Sequence, residues 1–263
     1  MSDNPGASTR SRTEQREDTG SEVCSAHERP RTKRCEASSI ASTQVAMHRQ
    51  GHERGPSNPS ESMPVTDDEI REKYLERAIR ELNSLTRDLQ SCPHCPRGHL
   101  MPVLGSGHPQ ADIMLLKHSP LSSEIEEGVA FYGRAGGAIM KSLKRLSIDP
   151  LAVYGTLCVK CPLGDSSLAD PECIARVIEE LAIVQPRIVV VMGSEALACL
   201  NDLDVPLSRP LSPNLGEIQS LTPMIDALYV PNIDDSLDEQ DAKREFWAAF
   251  RMLGEWWAAQ PPY

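Results

Sequence analysis

No run of apolar residues in this chain approaches the roughly 20 that a membrane-spanning helix needs. The first residues are charged and no apolar segment follows them, so no secretory signal is expected. Positive charge is in deficit. Lys and Arg number 27 against 38 Asp and Glu, for a formal net charge of -11. A surface that coats phosphate broadly is therefore excluded, although a local basic groove is not. Large apolar residues are nearly missing from residues 1–63, which are rich in Ser, Arg, Glu, Pro and Gly. That stretch holds nine Lys+Arg and nine Asp+Glu, so it is neutral and the remainder carries the whole deficit. So little apolar surface cannot offset chain entropy, and a disordered tail over 1–63 is expected before a folded domain over 64–263. No internal repeat is visible. These absences point to a monomeric protein of the cytoplasm that makes no use of a membrane.

What is present from Thr66 onward is an alternation of two periodicities. Thr66-Asp67-Asp68-Glu69 is a capping box. Ile70, Tyr74, Ala78, Ile79, Leu82 and Leu85 follow at helical spacing, which predicts a helix to about Leu89. After a Gly-rich turn from Gly105, strands are predicted over 112–116, 152–159, 187–192 and 227–230. Helices are predicted over 135–146, 171–184, 194–200 and 239–259, and 202–223 reads as a Pro-rich loop with room for a short strand. The unbroken apolar run before Gly193 suits a central parallel strand buried on both faces. Strands separated by helices imply βαβ units. The expected fold is α/β, three layers in the order α/β/α, around a mainly parallel four-stranded sheet. Ligands of such sheets bind outside the carboxyl ends of the strands, which draws the eye to Lys117-His118-Ser119-Pro120.

Eight cysteines are spread over the chain. Cys92-x-x-Cys95 and Cys158-x-x-Cys161 are two CxxC pairs, with Cys173 twelve residues beyond the second. Two such pairs are a strong metal signal, and four thiolates suit either structural zinc or an iron–sulfur cluster. Cys158 also reads as a small buried hydrophobe and Cys199 as core. Cys24 and Cys35, in the tail, lack CxxC spacing and read as free thiols.

The blocks Gly105-x-Gly107-x-Pro109-x-Ala111-Asp112-Ile113-Met114-Leu115-Leu116, Phe131-Tyr132-Gly133-Arg134-Ala135-Gly136, Thr156-Leu157-Cys158-Val159-Lys160-Cys161 and Pro186 through Gly193 to Ala196 keep their order behind the first CxxC pair. In this the chain resembles the iron–sulfur uracil-DNA glycosylases of the family 4 type, over about residues 90–255. The resemblance implies a [4Fe-4S] cluster on Cys92, Cys95, Cys161 and Cys173, with structural zinc as the alternative. It also implies DNA as partner, single strands included, and hydrolysis of the N-glycosidic bond of a flipped-out uracil or other damaged base. The loop from Cys161 to Cys173 is a few residues shorter than the family's.

Phe131 falls on the family's base-stacking Phe, where the alternative is an ordinary core residue. The family's Gly-Glu after the first strand is replaced by Lys117-His118. His118 is a candidate general base and Lys117 a candidate amine nucleophile. Lys in place of a Gly that lets backbone approach a ligand can instead block the pocket. A solvated Lys beside an incidental His is the bland alternative. The Asn that reads the uracil edge becomes Leu157, which neither donates nor accepts. The His that stabilises the departing uracil anion aligns with Asp234, whose charge would repel that anion. Its alternative is a solvated acidic helix start. Scaffold and metal ligands are kept while the uracil chemistry is altered, so a non-catalytic iron–sulfur protein that binds nucleic acid or a partner is the second reading.

Overall fold

The computed structural model describes residues 66–261; the expectations for residues 1–63, and for Cys24 and Cys35, lie outside them. The capping box forms as predicted. Thr66 Oγ1 accepts from the Glu69 amide at 3.3 Å, and Glu69 Oε2 accepts from the Thr66 amide at 3.0 Å. Helix α1 runs Asp67–Ser91 and ends on Cys92. Strand β1 is Ser106–Gly107 and β2 is Ile113–Lys117. Helix α2, Ser122–Glu127, and helix α3, Arg134–Arg145, lie between β2 and β3, Val153–Leu157. Helix α4 is Pro171–Val184, β4 is Ile188–Met192 and α5 is Ser194–Asp202. The chain closes with β5, Ile218–Ser220, β6, Asp226–Val230, and α6, Gln240–Ala258.

The sheet has six strands in the order β1-β3-β2-β4-β6-β5, not the four expected. The four predicted strands form its parallel centre. The two additions are antiparallel edges, β1 on β3 and β5 on β6. They are two and three residues long, too short for any periodicity to show, and the strands beside them impose their extended form. Short edges also limit unwanted pairing with other chains. Helix α2, in the acidic stretch between Pro120 and Phe131, is a further element outside those expected.

Alternate residues of the central strands face opposite helical layers, as the period of two requires. Met114, Leu116, Val189 and Val191 pack with Val177 and Leu181 of α4 and Leu197 of α5. Ile113, Leu115, Val190 and Met192 pack with Ile139 and Leu143 of α3 and Phe246 and Phe250 of α6. That double burial explains the unbroken apolar run of β4. Among the described residues no helix is long and apolar enough to cross a membrane.

The chain leaves β2 toward β3 on one side and reaches β4 on the other, so the crevice at the carboxyl ends of β2 and β4 is the topological switch point. Gly136, in the first turn of α3, sets how closely that helix approaches the loop before it. A methyl at Gly136 would strike the Phe131 carbonyl, whereas one at Gly137 would meet nothing within 4 Å. Gly136→Ala should therefore cost about 1–3 kcal/mol by overpacking, and Gly137→Ala should gain about 0.5–1 kcal/mol. Thermal unfolding of the two variants side by side checks this.

Candidate functional site

Lys117 is the last residue of β2 and lies in register with Leu157 of β3 on one side and Met192 of β4 on the other. Its side chain continues the face of Ile113 and Leu115, toward α3. It is 1% exposed, so the reading of a solvated lysine is overturned. Its ammonium lies 2.7 Å from Glu124 Oε2, 2.8 Å from Asp234 Oδ2 and 5.6 Å from the centroid of the Phe131 ring.

Each partner is held by the fold. Glu124, in α2, is fully buried and also accepts from the backbone amides of Leu121 and Phe131. It thereby folds the loop around itself and fixes Phe131 in a left-handed conformation, φ 59°, which few non-glycine residues adopt. The half-buried Phe131 ring fits because residue 155 of β3 is glycine. A Cβ there would sit 2.5 Å from Phe131 Cδ2. Asp234 follows β6 in a turn where its amide donates to Asn232 Oδ1. Its side chain is 14% exposed, so it is no solvated helix start. Its second oxygen, Oδ1, is buried without a hydrogen-bond partner. Leu157 is buried with Val103 and Ala130 and touches Phe131 and Ile125. The structure thus brings Lys117, Phe131, Leu157 and Asp234 together, with Glu124 as a fifth member that sequence reading missed inside an acidic run.

His118 is not part of this group. One residue on, it faces the α5 side, with Nδ1 3.5 Å from Glu195 Oε2. It lines a cleft of ≈ 540 Å³ with Asn232, Asp235 and Tyr229. It shares no hydrogen bond or ion pair with Lys117, Glu124 or Asp234. The alternation of faces that sets Lys117 toward α3 carries His118 to the opposite side.

Of the expected metal ligands, Cys95, Cys161 and Cys173 are buried with their sulfurs all within 4.8 Å of one another. The Asp170 amide donates to Cys95 Sγ at 3.4 Å, and Cys161 and Cys173 are 3.8 Å apart. The Cys161 thiol beside it pulls Cys173 down to about 5, against the opposing effect of burial. Three converging soft donors fit a thiophilic metal or cluster. Cys92, at the end of α1, lies outside the trio. Cys158 is not a fourth member. It packs in the α4–α5 core, where the neighbouring Cys199 thiol pushes it up.

Two supports of this site gave no signal in the sequence. His94, inside the first CxxC, reaches Glu172 Oε2 at 3.1 Å and so ties that loop to the helix bearing Cys173. Lys160, fully buried, donates to the Leu157 carbonyl at 2.7 Å and lies 2.8 Å from Glu180 Oε2. Glu180 also accepts from Tyr154 and Thr156. One buried pair thus braces β3 between the thiol trio and Leu157.

The structure is thus an α/β sheet with a buried polar cluster at its switch point and, alongside, a thiol trio that could hold a metal. Residues 104–251 match the sequence model of the Uracil DNA glycosylase superfamily, and the chain belongs to that family. It is 28% identical over 130 residues to a Type-4 uracil-DNA glycosylase of Pyrobaculum aerophilum, which covers 48% of this chain and 65% of the relative. It is 29% identical over 123 residues to a Type-4 uracil-DNA glycosylase of Sulfurisphaera tokodaii, 43% of this chain and 54% of the relative. The matches span less than two thirds of either relative.

Removing one member of a buried ion pair strands the others. Lys117→Met should destabilise the protein by about 3–5 kcal/mol. Adding Glu124→Gln and Asp234→Asn should restore much of that loss, because no uncompensated charge then remains buried. Urea unfolding of the single and triple variants measures both.

Proposed function

We propose that this chain is a uracil-DNA glycosylase-like DNA-repair protein that binds DNA through the superfamily scaffold but does not release uracil, because Lys117 closes its base pocket. The observation that carries this is the Lys117 ammonium over the Phe131 ring, held there by Glu124 and Asp234. Phe131, by resemblance the stacking residue, has its face occupied by a cation of the protein itself. Leu157 offers the base edge no hydrogen bond, a loss that costs roughly 10⁴ in discrimination at a site built on that contact. Lys117, 1% exposed and engaged with two carboxylates, is not presented as a free amine nucleophile. His118 faces Glu195 on the far side of β2 and would have to activate water there.

The metal in this proposal is a [4Fe-4S] cluster on Cys92, Cys95, Cys161 and Cys173. Cys92 sits one turn of chain from Cys95, so a local movement of the helix end completes the set. A cluster so placed is structural, joining α1, the segment after β3, and α4. Zinc is the alternative, since 2.3 Å bonds to a tetrahedral ion put two thiolates about 3.8 Å apart, as Cys161 and Cys173 are. Purified without oxygen, the protein should be brown and hold iron and sulfide in equal amounts. A colourless protein holding zinc would replace the cluster with a zinc site. The setting proposed is a cytoplasmic monomer acting on DNA, single strands included.

A second reading, a glycosylase for a different damaged base, is favoured by one atom. Asp234 Oδ1, buried and without a partner, can accept from a base edge that carries a donor. Metal-loaded protein is assayed on single- and double-stranded DNA bearing uracil, hypoxanthine or xanthine. The proposal expects no abasic product from uracil, and gain of uracil release by the Lys117→Gly, His118→Glu, Leu157→Asn triple variant. Uracil release by the unaltered chain would overturn it, and release of hypoxanthine or xanthine alone would move the assignment to the second reading.

A further inference from the structure

In a chain with a formal net charge of -11, one groove collects cations. It lies between α3 and the start of α6, encloses ≈ 410 Å³, and is lined by Arg134, Lys141, Arg145, Lys243, Phe246 and Trp247. Residues 134, 141 and 145 are spaced by seven and four, so they form one stripe on α3. The stripe is about 16 Å long at 1.5 Å per residue. Arg134 is offset by Asp238 at 2.6 Å, in an exposed pair. Lys243 also lies near enough to Asp238 to help lower that carboxyl. Among the described residues, Lys141 and Arg145 form no salt bridge with a carboxylate, and the Arg145 guanidinium stands 4.8 Å over the half-buried Trp247 ring. The positive surplus of the groove therefore centres on Lys141 and Arg145.

Position matters as much as charge. Arg134 begins the helix that follows Phe131, and Ile233 and Ser236, also in the lining, flank Asp234. The groove leads away from the Lys117 cluster down the flank of the molecule. A row of fixed cations is what the backbone of a single strand uses, and Trp247 holds the Arg145 guanidinium in that row.

We infer that the groove between α3 and α6 binds the backbone of single-stranded DNA leading to the crevice, with Lys141, Arg145 and Lys243 on phosphates and Trp247 holding Arg145 in place. The inference rests on the DNA reading above and names the route of the strand. Fluorescence anisotropy of a labelled oligothymidylate, titrated with the full-length protein at several salt concentrations, tests it. Lys141→Glu and Arg145→Glu should each weaken binding about tenfold or more at low salt. Lys141→Ala should lower the salt slope by about one. Lys144→Glu, the same charge change on the same helix but outside the groove, should alter binding less than about twofold. These are surface changes, expected to leave folding intact, which circular dichroism verifies. If the unaltered protein binds the oligonucleotide and the groove variants match Lys144→Glu, the groove is wrong while the DNA reading stands. If the unaltered protein binds no DNA, both fall. If polyglutamate competes as well as the oligonucleotide does, an acidic protein segment takes the place of the strand.

Discussion

The Lys117 ammonium lies out of water between two carboxylates, and a charge in that position constrains every segment that touches it. Desolvating it is tolerable only because Glu124 and Asp234 stand at 2.7 and 2.8 Å. Glu124 must be brought in from α2, and once buried it takes the Leu121 and Phe131 amides, which sets the course of the loop into α3. Asp234 must be brought in from beyond β6, which sets the turn that precedes α6. The α2 loop and the turn after β6 are thus both closed over the carboxyl end of β2 by one cation.

A second buried lysine does similar work on the next strand. Lys160 and Glu180 brace β3 from beneath, with Tyr154 and Thr156 filling the remaining acceptor positions of the carboxylate. The face of β3 toward α4 therefore carries a polar brace, while Gly155 and Leu157 on the other face meet Phe131. The thiol trio lies directly beyond this strand, and its three sulfurs come from the loop after α1, the segment after β3 and the first turn of α4. The strand, the thiol trio and the loop around Lys117 are thus in contact through backbone and buried charge.

The central fold was legible because each strand of the parallel sheet is buried on both faces and each long helix has an apolar stripe. Helix α4 was readable to the residue, expected over 171–184 and formed as Pro171–Val184. Strand β1 and helix α2 were not, since two to six residues carry no period and form only against neighbours already in place, while β5 is the short strand for which 202–223 left room. Two CxxC pairs and Cys173 were legible as a metal signal, and the family resemblance, not the spacing, selected Cys95, Cys161 and Cys173 among them. The separation of Cys158 from that trio needed the strand's direction, which sends its side chain toward Cys199 instead. Lys117 and Asp234 were both singled out, yet nothing in sequence could say that residues 117 positions apart neutralise each other. That pairing depends on the sheet order, which sets the loop after β6 over the end of β2, and on Glu124, which was lost in a run of carboxylates. That Lys117 and His118 lie apart follows from the alternation of faces along β2, which carries the residue after Lys117 to the opposite side.

The most direct test of a pocket closed by Lys117 is a structure of the protein bound to DNA carrying a non-hydrolysable uracil nucleotide. Closure predicts that the uracil stays outside the pocket, with the Lys117 ammonium still over Phe131 and within hydrogen-bond distance of Glu124 and Asp234. A uracil stacked on Phe131, with Lys117 displaced from its two carboxylates, would contradict it.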